Sequence, residues 1–440
     1  MAAMTPEWLG IVSLFVLFGA IFIGFPIAFT LIAVGLLFGM LGFGEPALHL
    51  MTLQFFSVMK DTTLAAVPFF LFMGFLLEQS GLMERMFRGT QLLLAPLPGS
   101  LYLAILITAT IFGIASGIVG STVTLLGVMA APSIKRGKYD IRMSAGAITA
   151  GGTLGILIPP SVMLVVMGPV VGVPTTDLFS AAMIPGFLLS AIFCLYTTIR
   201  CWFNPSLGPP LPPEEREPLG KVLKDLAIGT VPMLIVTLAT LGTIMAGMAT
   251  PTDCAAFGCA VTVIMVICYR QMTWERLKYS TFETLKLSSM ILLLVAASNY
   301  FGAVFSRLGS ANFIAESLLR FNFPPMVMIV LMMAIIFVLA WPLEWVPIVL
   351  IVVPIFLPLL QKMNIDLVWF CTLTAVCLQT AWLSPPVALS AYFLKGVVPD
   401  WTLKDIYAGM FQFMLLQLIG LALCILFPQL SLWLPALLRE

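Results

Sequence analysis

Residues 141–172 constrain this chain more than any other stretch. They are apolar and long enough to cross a bilayer, which takes roughly 20 residues as helix. Yet Pro159 and Pro160 lie in the middle, and Gly151, Gly152 and Gly155 loosen the turns before them. A proline supplies no N–H, and its ring clashes with the preceding turn. The spacing therefore predicts two half-helices that meet at membrane depth. Carbonyls freed there need protein or a water-filled cavity to satisfy them. Breaks of this kind are where membrane carriers place ions and substrates.

The break occurs twice. Pro159–Pro160 map onto Pro385–Pro386 with an offset of 226. The same register, within one residue, pairs Pro26 with Pro251, Phe112 with Phe337, Ala115 with Ala340 and Asp140 with Asp366. Each identity is cheap in so apolar a chain, but chance matches would scatter in offset. Two homologous halves are expected. The first is 8–203, with a hairpin at 100–133 and a broken helix at 141–172. The second is 228–428, with a hairpin at 325–361 and a broken helix at 366–398. Between them, 204–227 is a stiff, solvated linker rich in proline and glutamate.

Hydrophobic residues make up 61% of the chain and charged ones 9%, against roughly a quarter charged in soluble domains. The fold class expected is an all-α polytopic membrane protein. The net charge of +1 gives no reason to expect nucleic acid. No Lys or Arg precedes Lys60, so the start lacks the basic flank of a signal peptide, and 8–24 reads as a retained span. The eight cysteines form no C-x-x-C pair and read as small core residues. His49, the one histidine, reads as a solvated or interfacial loop residue rather than a ligand. With no second histidine and no H-E-x-x-H, an embedded hydrolase lacks its machinery, and no catalytic residue is assigned.

The small and hydroxyl residues at 115–122 interrupt an apolar run and suggest a hairpin that enters and returns on one side. In the second half an arm is expected at 270–283, a separate span at 285–305, and a second hairpin tip at 341–346. Each half then crosses five times, and an odd number inverts one half relative to the other. With the N-terminus outside, sixteen basic residues fall inside and five outside, as cytoplasmic loops prefer. The loop after the first hairpin carries Lys135, Arg136, Lys138 and Arg142, whereas its counterpart has Lys362 and Asp366.

The motifs S-G-I-V-G-S, P-S-I-K-R-G-K-Y and G-G-T-L-G-I-L-I-P-P-S, with the later Pro-Pro, resemble the large membrane subunit of TRAP transporters (tripartite ATP-independent periplasmic transporters). The resemblance covers nearly the whole chain. It implies an elevator-type carrier of the bacterial inner membrane, coupled to sodium. It also implies a small membrane subunit and a periplasmic binding protein that delivers an organic acid. A stand-alone sodium- or proton-coupled carboxylate carrier is the alternative.

Sodium is a hard cation and takes oxygen ligands. One ion is expected between the first tip (Ser116, Gly117, Ser121) and the first break (Gly152, Thr153, Gly155). Its mate is expected between Pro342 and Glu344 of the second tip and Thr380, Trp382 and Ser384 of the second break. Glu344 is the best ionisable group at membrane depth. Half-helix N-termini after Pro160 and Pro386, together with Ser161, are expected to face an anionic substrate through their positive dipole ends. Asn299 is a further candidate lining residue.

Overall fold

The computed structural model describes residues 5–212, 214, 216–385 and 388–439. Every regular element among them is helical. Seven helices are long and apolar enough to cross a membrane, and two bent helix pairs pass the same test.

The first half opens with α1 (Pro6–Ile23) and α2 (Ile27–Phe43), parted at Gly24, whose φ is 107°. Next come α3 (Pro46–Lys60) and α4 (Ala66–Gln79), bent by 60° across a short turn. The bend follows from Asp61, whose carboxylate accepts from the Thr63 N–H at 2.8 Å and restarts the helix. The arm α5 (Leu82–Leu93) leads to the hairpin α6 (Ser100–Ser116) and α7 (Val119–Arg136). The broken helix follows as α8 (Ile141–Leu157) and α9 (Val162–Val171), bent by 43°. Ile158 turns extended (ψ 125°), as a residue before proline prefers. Helix α10 (Thr175–Phe203) closes this half.

The expected linker, 204–227, ends early: Pro218 stands just before the first helical turn, so α11 (Leu219–Met245) takes in 219–227, and α12 (Pro251–Cys268) follows it. They are followed by α13 (Trp274–Arg307) and the arm α14 (Ser310–Leu319). A second hairpin pairs α15 (Pro325–Ala340) with α16 (Trp345–Lys362). Then α17 (Leu367–Leu378) runs into a 3-10 turn, Gln379–Trp382, and α18 (Leu389–Val397) resumes beyond the break. Helices α19 (Leu403–Leu426) and α20 (Gln429–Arg439) end the chain.

The starts of α6 to α10 and of α15 to α19 keep the 226-residue offset within two residues. The caps repeat too. Asp140 accepts from the Met143 N–H at 2.8 Å, and Asp366 accepts from the Trp369 N–H at 2.9 Å. Each is an N-cap carboxylate satisfying an orphan donor of the first turn.

The packing separates two groups. Helices α2, α3 and α4 lie against α12 and α13, and α5 lies along α11. The hairpins and broken helices form the other group: α6, α7 and α19 pack on α8, and α15 packs on α17. The halves interlock within it, since α18 lies on α7 and α9 on α16.

Two further expectations need correction. The arm at 270–283 and the span at 285–305 are one helix, α13. No Gly or Pro occurs between Trp274 and Gly302 to stop it, and the Thr273 hydroxyl caps it by accepting from the Arg276 N–H at 3.3 Å. His49 sits in α3 rather than in a loop, although it is exposed as expected.

Candidate ion and substrate site

The first hairpin tip rests on the first break. Gly117 turns the chain at φ 64°, a left-handed conformation that favours glycine. A Cβ there would lie 3.5 Å from the Pro160 carbonyl oxygen and 3.9 Å from that of Gly155. Gly113 and Gly155 bring α6 and α8 together backbone to backbone: a Cβ on Gly113 would come 2.7 Å from the Gly155 Cα. A Cβ on Gly152 would meet Val123 at 2.3 Å. The small residues before the prolines thus serve close approach as well as bending.

Oxygen atoms gather at this junction. Ser116 is 3% exposed and its hydroxyl, like that of Ser121, is buried with no hydrogen-bond partner. The Thr153 hydroxyl donates to the Ala150 carbonyl at 2.8 Å and accepts from Gln417 Nε2 at 3.2 Å. The Ser161 hydroxyl donates across the break to the Ile156 carbonyl. It thereby satisfies one of the acceptors that the break frees. An all-oxygen donor set with unpartnered hydroxyls fits a hard cation.

The second junction is built differently. Glu344 is the N-cap of α16, exposed, and makes no hydrogen bond or ion pair among the described residues; Pro342 stands half-buried in the turn before it. Thr380 donates to the Cys377 carbonyl at 2.6 Å, repeating the local bond of Thr153. Ser384 donates to the Thr380 carbonyl at 2.7 Å and also contacts Met414 Sδ at 3.1 Å. The Trp382 indole N–H is buried and unpartnered. Helix α15 packs against the Gln379–Trp382 turn, so hairpin and break meet here too. Pro386 lies outside the described residues. Asn299 is half-buried on α13, and no hydrogen bond ties it to either break. Its neighbour Ser298 instead donates to the Leu350 carbonyl in the π turn of α16, Ile348–Val352.

Residues beyond the expected set join these junctions. Gln417 is fully buried, and its amide oxygen is unpartnered while its N–H reaches Thr153. Gln379 donates to the Ala375 carbonyl at 3.2 Å and also leaves its amide oxygen unpartnered. The available signal was a glutamine inside an apolar run, which is costly unless it bonds or binds. Among the described residues no three His, Cys, Asp or Glu side chains gather to hold a metal.

Two crevices flank the hairpins. One of about 840 Å³ separates α5 from α7, with Glu78 at one end and Pro209–Pro212 of the linker at the other. The other, about 240 Å³, lies between α13, α14 and α16 and is lined mostly by apolar groups. Arm α14 and helix α16 hold the places in the second half that α5 and α7 hold in the first.

Comparison with known proteins agrees with this architecture. Residues 13–430 match the family model described as tripartite ATP-independent periplasmic transporter, DctM component. The chain is 28% identical over 428 residues to the sialic acid TRAP transporter large permease protein SiaM of Vibrio cholerae, covering 97% of this chain and 98% of that one. It is also 28% identical to the C4-dicarboxylate TRAP transporter large permease protein DctM of Pseudomonas aeruginosa, covering 89% and 91%. Among solved structures, the YdaH transporter of Alcanivorax borkumensis superposes with a TM-score of 0.63 at 13% identity, covering 88% of each chain, and so shares the fold.

Proposed function

From its membership of the DctM component family of tripartite ATP-independent periplasmic transporters, we propose that this chain is the large permease subunit of a sodium-coupled organic-acid importer. Its relatives are transporter permeases and not enzymes. A small membrane subunit and a periplasmic binding protein complete the system, which works in the bacterial inner membrane with the N-terminus outside. Relatives are named for sialic acid and for C4-dicarboxylates. Both are carboxylates, so a carboxylate is the proposed substrate.

The observation that carries the proposal is the first hairpin tip seated on the first helix break, with the second hairpin packed on the second break. At the first, Ser116 and Ser121 offer free hydroxyl oxygens, and Gly155 and Pro160 turn carbonyls toward Gly117. Sodium bound there is coordinated by these oxygens and fixes the tip. The substrate carboxylate is received at the N-terminus of α9, beside Ser161, where the helix dipole is positive. The mate at Thr380, Ser384, Trp382 and Glu344 takes the second ion. The hairpins and broken helices then move as one body along the α2–α4, α12 and α13 group. The 840 Å³ crevice is the exit path, opening toward Arg88, Arg136 and Lys138 on the basic, cytoplasmic side.

Energetics favour two ions. One charge moving through 100 mV is worth about 2.3 kcal/mol. One sodium per monoanion moves no net charge, whereas two add the membrane potential to the drive. Uptake of a labelled organic acid into proteoliposomes, with the small subunit and a binding protein present, tests the proposal. It requires uptake that depends on both an inward sodium gradient and the binding protein. Sodium-driven uptake without the binding protein supports the stand-alone carrier. Uptake indifferent to sodium overturns the coupling.

A further inference from the structure

Pro354 lies inside α16, four residues after Leu350. In an α-helix the Leu350 carbonyl would accept from the N–H of residue 354. A proline there has no N–H, and its ring presses on that same carbonyl. The chain runs as a π turn, Ile348–Val352, just before the proline, a form that occurs as single turns, frequently at functional positions. The Leu350 carbonyl accepts instead from the Ser298 hydroxyl of α13. Ser298 is 1% exposed and Leu350 2%, so water has no access to replace the bond.

This bond crosses a boundary. Helix α13 lies with α2, α3 and α4, along which the hairpin body moves in the scheme above, and α16 belongs to that body. The bond also stands beside the small crevice: Phe301, one turn beyond Ser298, and Ile351, next to Leu350, both line it. The first half has no counterpart. At the 226-residue offset Pro358 maps onto Pro132, but Pro354 maps onto Val128, and α7 runs without a π turn. Thr124, the match of Leu350, donates its hydroxyl to the Gly120 carbonyl within α7. The stretch of α4 that matches Ser298, 70–72, reads Phe-Leu-Phe and offers no side-chain donor. Two inverted halves would by themselves make the ends of the stroke mirror images. A hydrogen bond in one half alone makes them unequal.

We infer that the Ser298 hydroxyl and the Leu350 carbonyl form a latch. It holds the hairpin body at the end of the stroke seen here, with the small crevice closed and the large one open. Sliding α16 along α13 separates the pair and strips a carbonyl that Pro354 has already deprived of its helical donor. The inference rests on the moving-body reading above, but it fails separately from it.

The test compares two thiol-labelling rates in oriented vesicles carrying the chain with its small subunit, the exposed Cys268 being replaced. Met129→Cys reports the large crevice and Ile355→Cys the small one, each measured alone, and the ratio of their rates follows the balance between the two ends. Ser298→Ala is expected to lower that ratio about tenfold. In a Pro354→Ala background residue 354 again offers Leu350 a donor, and there Ser298→Ala is expected to change the ratio less than threefold. An unchanged ratio in a folded Ser298→Ala protein overturns the latch. So does an equal drop in both backgrounds, which would make Ser298 a packing residue only. Where Ser298→Ala does not fold, Ser298→Gly replaces it: a drop of threefold or more supports the latch, and no drop overturns it. If neither sodium nor substrate alters the wild-type ratio, the moving-body reading itself has failed.

Discussion

At the scale of single residues, the junctions depend on second-layer hydrogen bonds. Gln417 approaches Thr153 from the other half of the chain, 264 positions away, and donates to its hydroxyl. That bond leaves the Thr153 hydroxyl oriented toward the Ala150 carbonyl. Groups that orient metal ligands typically control affinity by 10–100-fold when removed. Gln417→Met, close in volume, is expected to raise the sodium concentration for half-maximal uptake by about tenfold, and Thr153→Ser to leave it nearly unchanged. A sodium titration of uptake reads both. The local parts of this site were legible in the sequence. Ser116, Gly117, Thr153 and Gly155 announce themselves as small or hydroxyl residues in apolar runs. Gln417 did not, because what makes it matter is a neighbour distant in sequence.

At the scale of elements, the same division holds. The hairpins and breaks were legible because proline and glycine act on their own turn of backbone. Helix α13 was not, because Lys278, Glu283 and Lys286 make its first half look like a surface arm. Its continuity shows in the lack of any breaker, not in its hydropathy. The linker is a third case. Its prolines predict stiffness, but its anchoring is tertiary: Leu207 accepts from Asp140 N–H at 3.0 Å and from the Tyr102 hydroxyl at 2.6 Å. Glu217 ties it to the arm, meeting Arg88 at 3.0 Å and Lys221 at 3.2 Å. The hydrogen bond from Lys221, with Arg88 beside it, holds the Glu217 carboxyl below its ordinary 4.5. A depressed folded pKa stabilises fully above the unfolded value and is lost as pH falls through the folded one. Glu217→Gln is therefore expected to lower the melting temperature slightly at pH 7. The difference is expected to vanish as pH drops well below 4.5, where the wild type is protonated too. Paired melting curves across that range check the sign.

At the scale of the whole molecule, the informative fact is an inequality. Equivalent positions in the two halves enclose about 840 Å³ at one crevice and about 240 Å³ at the other. If the hairpin body shuttles, opening one crevice closes the other, and this arrangement is one end of the stroke. The most direct test is paired accessibility in oriented vesicles, with the exposed Cys268 replaced. Single cysteines are placed at Met129 in the large crevice and Ile355 in the small one. The account predicts that Met129→Cys reacts with an impermeant thiol reagent from the cytoplasmic side. It also predicts that conditions which protect it expose Ile355→Cys from the opposite side. Reaction of both from one side, or protection of both together, would contradict it.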